Sequence, residues 1–494
     1  MYTKRYNTQP SEEIGLYGAS SPFLSELRGF DTCTQPRSLR TLAKIVSDGL
    51  CHRCGSCIGI CPTEVLRTDS KEYPVVSNLS ACTDCGLCAK VCPGDEFNVI
   101  DHYKKMFGTE PDLKDTHGIF KRAVLGYSPD NKLRRNSTSG GIITALLVHM
   151  LESGQIDGAV VTGSDEKTLW KGEPKIARTK ADILAATKSK YAISPTNVVI
   201  AEILKHEGKY AFVGLPCQIH GILKAASLNK KLKERVAITI GLICHAAVDH
   251  EAFEVIWDSL GGRVKSAKRF ISRVGKHPGT PALELENGEM CPVYFPEKKG
   301  YRPSSMEMIN ILYRLYTPMR CTTCFDAMAE FADIAVGDPW MPPPEKDIDF
   351  YQGWSFALAR TARGDEILKK AIADGAIVAR DITRFQAREC NLEMAKEKRN
   401  RAAWIMGYRA RRYMPVPFYG IKRPSDIACH RGFKVALNIF THIFCFFTPP
   451  RRFILKVMLS NAGYILLWVN NKRRSLKRAV RHFRAKRRWR AYEA

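Results

Sequence analysis

The sequence predicts an α/β protein in three parts: a small α+β module at the front, a larger α/β domain with a mixed sheet, and a basic helical C-terminal extension. Three observations carry this. Two strings of four cysteines repeat one spacing between residues 51 and 93; apolar strand-like runs alternate with amphipathic ones from 118 to 390; and beyond 390 the composition turns basic. Alternation of that kind is α/β grammar. With 494 residues, 45% of them hydrophobic, the chain has apolar material for two or three compact domains. The expected divisions are 1–45 as an N-terminal extension, 46–105 as the cysteine module, 118–390 as the α/β domain and 391–494 as the basic tail.

Taking the parts in order, residues 1–21 are polar and lack the apolar core of a signal peptide, so export is not expected. Seventeen cysteines, mostly in metal-ligand spacings, point to a reducing compartment. A cytoplasmic setting, peripheral to the inner face of the membrane, is the expectation. Lys and Arg number 76 against 50 Asp and Glu, so some face or tail should meet anions.

Cys51, Cys54, Cys57 and Cys61 precede Pro62, and Cys82, Cys85, Cys88 and Cys92 precede Pro93. Both strings match the ferredoxin run C-x2-C-x2-C-x3-C-P. Two-residue spacers let three sulfurs point inward at one cubane, and the proline turns the chain so that the fourth reaches the other cluster. Cys51, Cys54, Cys57 and Cys92 are therefore assigned to one 4Fe-4S cluster, and Cys82, Cys85, Cys88 and Cys61 to the second. The alternatives are a disulfide framework or a pair of zinc ribbons; the latter would use ligands in two pairs and has no need of a third cysteine two residues on. Gly55, Ser56 and Gly86 are small enough to let backbone amides approach the sulfides.

After a polar connection around 101–117, strands are expected at 123–128, 156–164, 210–216, 236–243 and 332–337, with a helix over 143–154 ending at Gly154. Asp249 reads as the N-cap of a helix through Leu260, with Gly261 past its end. Asn287-Gly288 is a hairpin signal.

Three features of this region carry chemistry. Cys217 and Cys244 end successive strands, where ligands gather in open α/β sheets, and Cys321 and Cys324 complete a set of four. A third cluster is compatible with that spacing; so are lone buried cysteines acting as small hydrophobes, and a C-x-x-C that is a redox dithiol or half a zinc site. Residues 134–147, Arg134, Arg135, Asn136, Ser137, Thr138 and Ser139 followed by Gly140 and Gly141, lead into a helix and offer donors to a pyrophosphate; an ordinary N-cap turn would look similar. Ser189, Lys190 and Tyr191 read either as a phosphate-contacting loop or as a solvated lysine. Neither the dinucleotide fingerprint nor a P-loop is present. His220 and His245 read as structural, and no acid or base stands out as catalytic.

SGG before a helix, SKY, GLPCQ, a strand ending in CH, then CTTC and ADIAVGD, in that order over about residues 50–345, resemble the coenzyme F420 hydrogenase/dehydrogenase beta-subunit family, here with a fused two-cluster ferredoxin. The resemblance implies an oxidoreductase whose α/β domain binds FAD and its own 4Fe-4S cluster. It would pass electrons between a redox partner protein and a small reducible substrate. By this likeness Asn136, Ser137, Ser139, Gly140, Gly141, Ser189, Lys190 and Tyr191 match flavin-contacting stretches. Cys217, Cys244, Cys321 and Cys324 match cluster ligands, and Gly337 and Asp338 the end of the family motif. The alternative is a noncatalytic electron-transfer subunit of a larger complex; a second is a nucleic-acid-binding iron-sulfur protein, supported by the basic tail alone. A flavin converts between single electrons and hydride, so the ferredoxin strings would be its wire.

In the tail, residues 433–447 and 453–469 are apolar stretches, each shorter than a spanning helix needs. An interfacial hairpin with Trp468 at the lipid headgroups is expected, against ordinary packed helices or a short span. The stretch from Lys472 to Arg490 holds eleven Lys/Arg and no acid. Beside such a hairpin an anionic membrane surface is the expected partner, and nucleic acid is not.

Overall fold

The computed structural model describes residues 36–293, 303–429 and 448–472. The apolar stretch 433–447 and the basic end beyond Lys472 lie outside the described residues. The cysteine module holds a two-stranded antiparallel ribbon, β1 (Leu66–Thr68) and β2 (Pro74–Val76). The helix Arg37–Ser47 belongs to this module and not to a separate extension. Its Leu39 and Leu42 pack with Val65, Leu66 and the sulfurs of Cys57 and Cys88.

The α/β domain is built on an eight-stranded mixed sheet. Its strands are β3 (Arg122–Tyr127), β4 (Gly158–Ser164), β5 (Gly172–Ala177), β6 (Tyr210–Gly214), β7 (Val236–Leu242), β11 (Ile334–Gly337), β12 (Ser355–Ala359) and β13 (Val378–Asp381). A separate three-stranded sheet contains β8 (Ala267–Val274), β9 (Thr280–Leu285) and β10 (Met290–Pro292), with the expected turn at Asn287-Gly288 between the last two. The order in the large sheet is β13-β3-β12-β11-β7-β6-β4-β5. Strands β4, β6, β7 and β11 run parallel. Because β3 and β11 each pair antiparallel with β12, β3 shares their direction. The segments that follow β3, β6, β7 and β11 therefore all emerge at one edge.

Successive residues of the central strands face opposite layers. Ala123 and Leu125 of β3, Phe212 of β6 and Phe356 of β12 point into one apolar cluster, whereas Val124, Ala211 and Ala357 point into the other. The helices Ile142–Glu152 and Ala362–Ala373 cover the second face. Pro216–Leu228 and Leu392–Arg411 cover the first. Phe212 and Phe356 are wholly buried; each such side chain contributes roughly 1.5–3 kcal/mol by leaving water.

Three expectations need correction. The connection at 101–117 begins as a helix, Val99–Phe107, capped by the Asn98 side chain and buried through Val99 and Tyr103. Asp249 does occupy the N-cap of the helix His250–Leu260, but its side chain makes no cap bond and instead pairs with Arg53 of the cysteine module at 2.8 Å. Residues from 392 do not start a peripheral tail: Ala395, Ala402, Met406, Tyr419 and Ile427 lie in the main core. Beyond residue 429 the described residues are the helices Thr448–Met458 and Asn461–Lys472, bent 72° to each other. Among the described residues no single helix is long and apolar enough to cross a membrane.

Candidate functional site: three thiol sets and a polar cradle

Each cysteine string forms one short helical turn, Ser56–Gly59 in the first and Leu87–Lys90 in the second. Each turn is preceded by a glycine in the left-handed region, Gly55 (φ 86°) and Gly86 (φ 77°). That conformation is cheap only without a Cβ, and it folds the second and third sulfurs of each run back toward one point.

The two strings then exchange their last cysteines. Cys51, Cys54, Cys57 and Cys92 line one cavity together with Pro93 and Gly94. Cys61, Cys82, Cys85 and Cys88 line a second with Ser38 and Asp84. This is the crossed assignment made from spacing. Among the described residues the cysteines are free thiols, and no three His, Cys, Asp or Glu side chains converge tightly on a single ion. Four thiols lining one cavity are the ligand set of a 4Fe-4S cubane.

Burial pushes the Cys51 thiol up to about 12 and those of Cys88 and Cys92 to about 11, with neighbouring thiols adding to the rise. Left as free thiols these groups would be protonated and unreactive; a bound metal is what deprotonates them.

A third set forms where β6 and β7 end. Cys217 sits in the first turn of the helix Pro216–Leu228, and Cys244 follows β7 by two residues. Cys321 and Cys324 come from the turn at Met319–Thr322 and the residues after it. Burial holds the Cys217 thiol well above its ordinary range, and Cys54, Cys321, Cys324 and Cys244 press it in the same direction. Cys54 belongs to the first ferredoxin set, so these two sets are neighbours.

Arg320 ties them together. Its Nε donates to the Gly94 carbonyl at 3.1 Å, and its Nη1 donates to Thr323 Oγ1 and to the Tyr419 hydroxyl, both at 3.0 Å. Asn197 adds a second tie, its backbone amide donating to the Cys54 carbonyl at 2.9 Å and its Nδ2 to Ser56 Oγ at 2.8 Å.

The polar cradle lies at the same sheet edge, beyond β3. Gly140 packs so closely on β3 and β12 that a Cβ there would collide with the Gly126 carbonyl. Ser139 Oγ donates to the Trp354 carbonyl at 2.6 Å, and the Gly140 amide donates to Ser355 Oγ at 2.9 Å. Ser137 Oγ donates to the Leu133 carbonyl. Gly141 is the N-cap of the helix Ile142–Glu152 and supplies no side chain, so the amides of that first turn keep their donors for something else. Asn136 closes the preceding short helix and is exposed. Arg134 is occupied: its Nε donates to the Gly353 carbonyl, and its guanidinium stacks 3.6 Å from the Tyr127 ring.

The second stretch meets the first. The Ser189 amide donates to Thr138 Oγ1 at 3.0 Å, and Lys188 Nζ donates to the Ser137 carbonyl at 3.2 Å. Lys190 is not a solvated lysine; its Nζ donates to the Ala186 and Thr187 carbonyls at 2.8 and 2.9 Å. Burial and then Arg269 pull the Lys190 ammonium down to about 7, and burial with Arg269 and Arg273 pulls Lys188 down to about 8. Burial raises the Tyr191 phenol, with the Arg273 guanidinium opposing that rise. Arg273 in turn pairs with Asp338, after β11, at 2.7 Å. Crowded cations with depressed ammonium groups make a place that an anion would relieve.

Sequence reasoning missed Lys188, Arg269, Arg273 and Ser355 at the cradle, and Arg320 and Lys398 at the third thiol set. Surface-type residues on separate elements carry no spacing signal. Gly337 is where β11 ends. His220 is structural, with its Nε2 3.1 Å from Asp326 and its ring stacked on Phe97.

Comparison with known proteins gives three family matches. Residues 123–201 match the N-terminal part, and 207–384 the C-terminal part, of the coenzyme F420 hydrogenase/dehydrogenase beta subunit; residues 50–96 match a 4Fe-4S dicluster domain. The coenzyme F420 hydrogenase subunit beta of Methanothermobacter thermautotrophicus is 26% identical over 308 residues, covering 61% of this chain and 99% of that one. Its counterpart from Methanosarcina barkeri is 28% identical over 288 residues, covering 57% and 89%. A coenzyme F420-dependent sulfite reductase of Methanocaldococcus jannaschii is 27% identical over 340 residues, covering 66% of this chain and 46% of the relative. Among solved structures, a chain of the F420-reducing NiFe hydrogenase complex from Methanosarcina barkeri aligns over 62% of this chain and 97% of its own length, at 25% identity and a TM-score of 0.47.

Proposed function

Since the chain belongs to the coenzyme F420 hydrogenase/dehydrogenase beta-subunit family and is an iron-sulfur oxidoreductase, we propose that it carries three 4Fe-4S clusters and one FAD and connects a redox partner protein to a small reducible substrate. The observation that carries this reading is the serial arrangement of the thiol sets. Cys85 is exposed at the outer set, the inner set adjoins the third through Cys54 and Cys217, and the third lies beyond the ends of β6 and β7, the sheet edge that also bears the cradle.

The clusters would supply one-electron transfer, and the flavin the exchange of single electrons for hydride. The chain's own residues hold this in place. Arg320 and Asn197 fix the module against the domain, so the spacing of inner and third sets does not drift. Arg53, itself buried, adds an ion pair to the half-buried Asp249 across the same contact, at 2.8 Å. The first-turn amides of Ile142–Glu152, with Lys188, would hold the flavin pyrophosphate; Lys190, whose three N–H groups donate to the Ala186, Thr187 and Lys188 carbonyls, would add charge from behind the loop, and Ser137 and Ser139 fix the loop around it. The exposed Cys85 face is where the partner would dock. A partner subunit of the kind that the relatives' names imply suits this position.

The bent helices Thr448–Met458 and Asn461–Lys472 would rest on an anionic membrane surface. Tyr464 and Leu467 pack inward on Met308, while Phe453, Ile465, Leu466 and Val469 are exposed beside Arg452 and Lys472.

The test is anaerobic reductive titration of the reconstituted chain with a one-electron donor. The flavin absorbance should bleach in the parent protein and in the Cys324→Ser variant only far more slowly. Equal bleaching rates in both would show that electrons reach the flavin without the third set.

A further inference from the structure

The helix Leu392–Arg411 starts beyond residue 384, where the matched family segment ends. Its run Lys398, Arg399, Asn400, Arg401 is buried, which is unusual for a stretch with three basic residues in four. Arg399 is accounted for by the Glu330 carboxylate at 2.5 Å. Lys398 is different. Its Nζ donates to the carbonyls of Cys244 and Asp326 at 2.8 and 2.7 Å, both uncharged acceptors. The Asp326 carboxylate is already engaged by His220 and by the amides of Met328 and Glu330.

Arg401, 3% exposed, approaches the His245 ring and carbonyl at 3.4 Å, and its Nε has no hydrogen-bond partner among the described residues. A buried cation is costly unless negative charge stands close by. The turn Met319–Thr322 that carries Cys321 packs on this helix, and Lys398 Nζ reaches the Cys244 carbonyl, so the charge lies at the third thiol set. The thiols of the third set neighbour both cations, with the Asp326 carboxylate also beside Lys398 and the Glu397 carboxylate beside Arg401.

We infer that Lys398 and Arg401 form a fixed cationic wall on the third thiol set, and that this wall makes the cluster held there easier to reduce than the cysteines alone would. The inference rests on the reading that these four cysteines hold a 4Fe-4S cluster. An added electron is negative charge, and a buried cation beside it is screened little by water, so the reduced state is favoured. Neither residue touches substrate; both are positioning residues acting through charge.

The experiment is a redox titration of the anaerobically reconstituted full chain, followed by electron paramagnetic resonance, after iron analysis of each sample. The signal of the third cluster is assigned as the one lost in Cys217→Ser. In Lys398→Met its midpoint potential should move negative while those of the other two clusters stay; Lys398→Arg should restore most of the shift. Arg401→Gln should move it the same way, and it serves if Lys398→Met fails to fold. An unmoved potential in a variant with full iron would overturn the inference and leave the three-cluster reading intact. Parent protein with iron for only two clusters would overturn both.

Discussion

Cys217, Cys244, Cys321 and Cys324 are brought together from two strand ends and one turn, and each alone would be an inert buried thiol. If they share one cluster, Cys324→Ser should lower bound iron from about twelve to about eight atoms per chain and leave the ferredoxin pair, since each cubane carries four irons. Iron and sulfide analysis checks this; loss of all clusters would indicate a folding defect. At the cradle, Lys190 gives a pH dependence. Its folded value of about 7 lies below the ordinary 10.5. Between those two values the unfolded chain binds the proton that the folded loop does not, so this residue's contribution to stability rises with pH across that window and is constant below it. An anionic ligand prefers the ammonium form, so FAD should bind with proton uptake and more weakly as pH rises from about 6.5 to 8.5, by linkage to the same group. Calorimetry in buffers of different ionisation enthalpy reads the proton count, and pH-independent affinity with no proton uptake would contradict it.

Single elements explain what was legible in the sequence. The cysteine strings were readable because ligand spacing is a local property, and the crossed pairing follows from the proline after each string. The strands β3, β6, β7 and β11 were readable because their buried runs are continuously apolar. Leu392–Arg411 was not, because a basic run in a helix reads as a solvated face, and only the packed structure shows that thiols and Glu330 meet those charges. The helix Arg37–Ser47 escaped for a similar reason. Its first turn is capped from outside, the Arg37 and Ser38 amides donating to the Asp84 carboxylate at 3.0 and 2.9 Å. Asp84→Ala should therefore destabilise this helix by about 1 kcal/mol, the usual value of such a cap, with Asp84→Asn milder. Thermal unfolding of the holoprotein measures it, and because Ser38 also lines the outer cavity, the outer cluster should be lost earlier on heating.

Across the whole molecule, the excess of 26 positive charges and the exposed apolar face of the bent helices point the same way. The chain should sediment with anionic vesicles at low salt and much less at high salt. Phe453→Ser with Leu466→Ser should weaken that binding while leaving iron content unchanged. Equal sedimentation of the double variant would remove the helices from the account. Everything else depends on what the twelve thiols hold. Anaerobic purification with iron, sulfide, zinc and flavin quantified on one sample tests this most directly. About twelve irons, as many sulfides and one FAD per chain are expected, from three cubanes beside one flavin site. A colourless protein with zinc on its thiols, or a fully loaded one with no flavin, would contradict this reading.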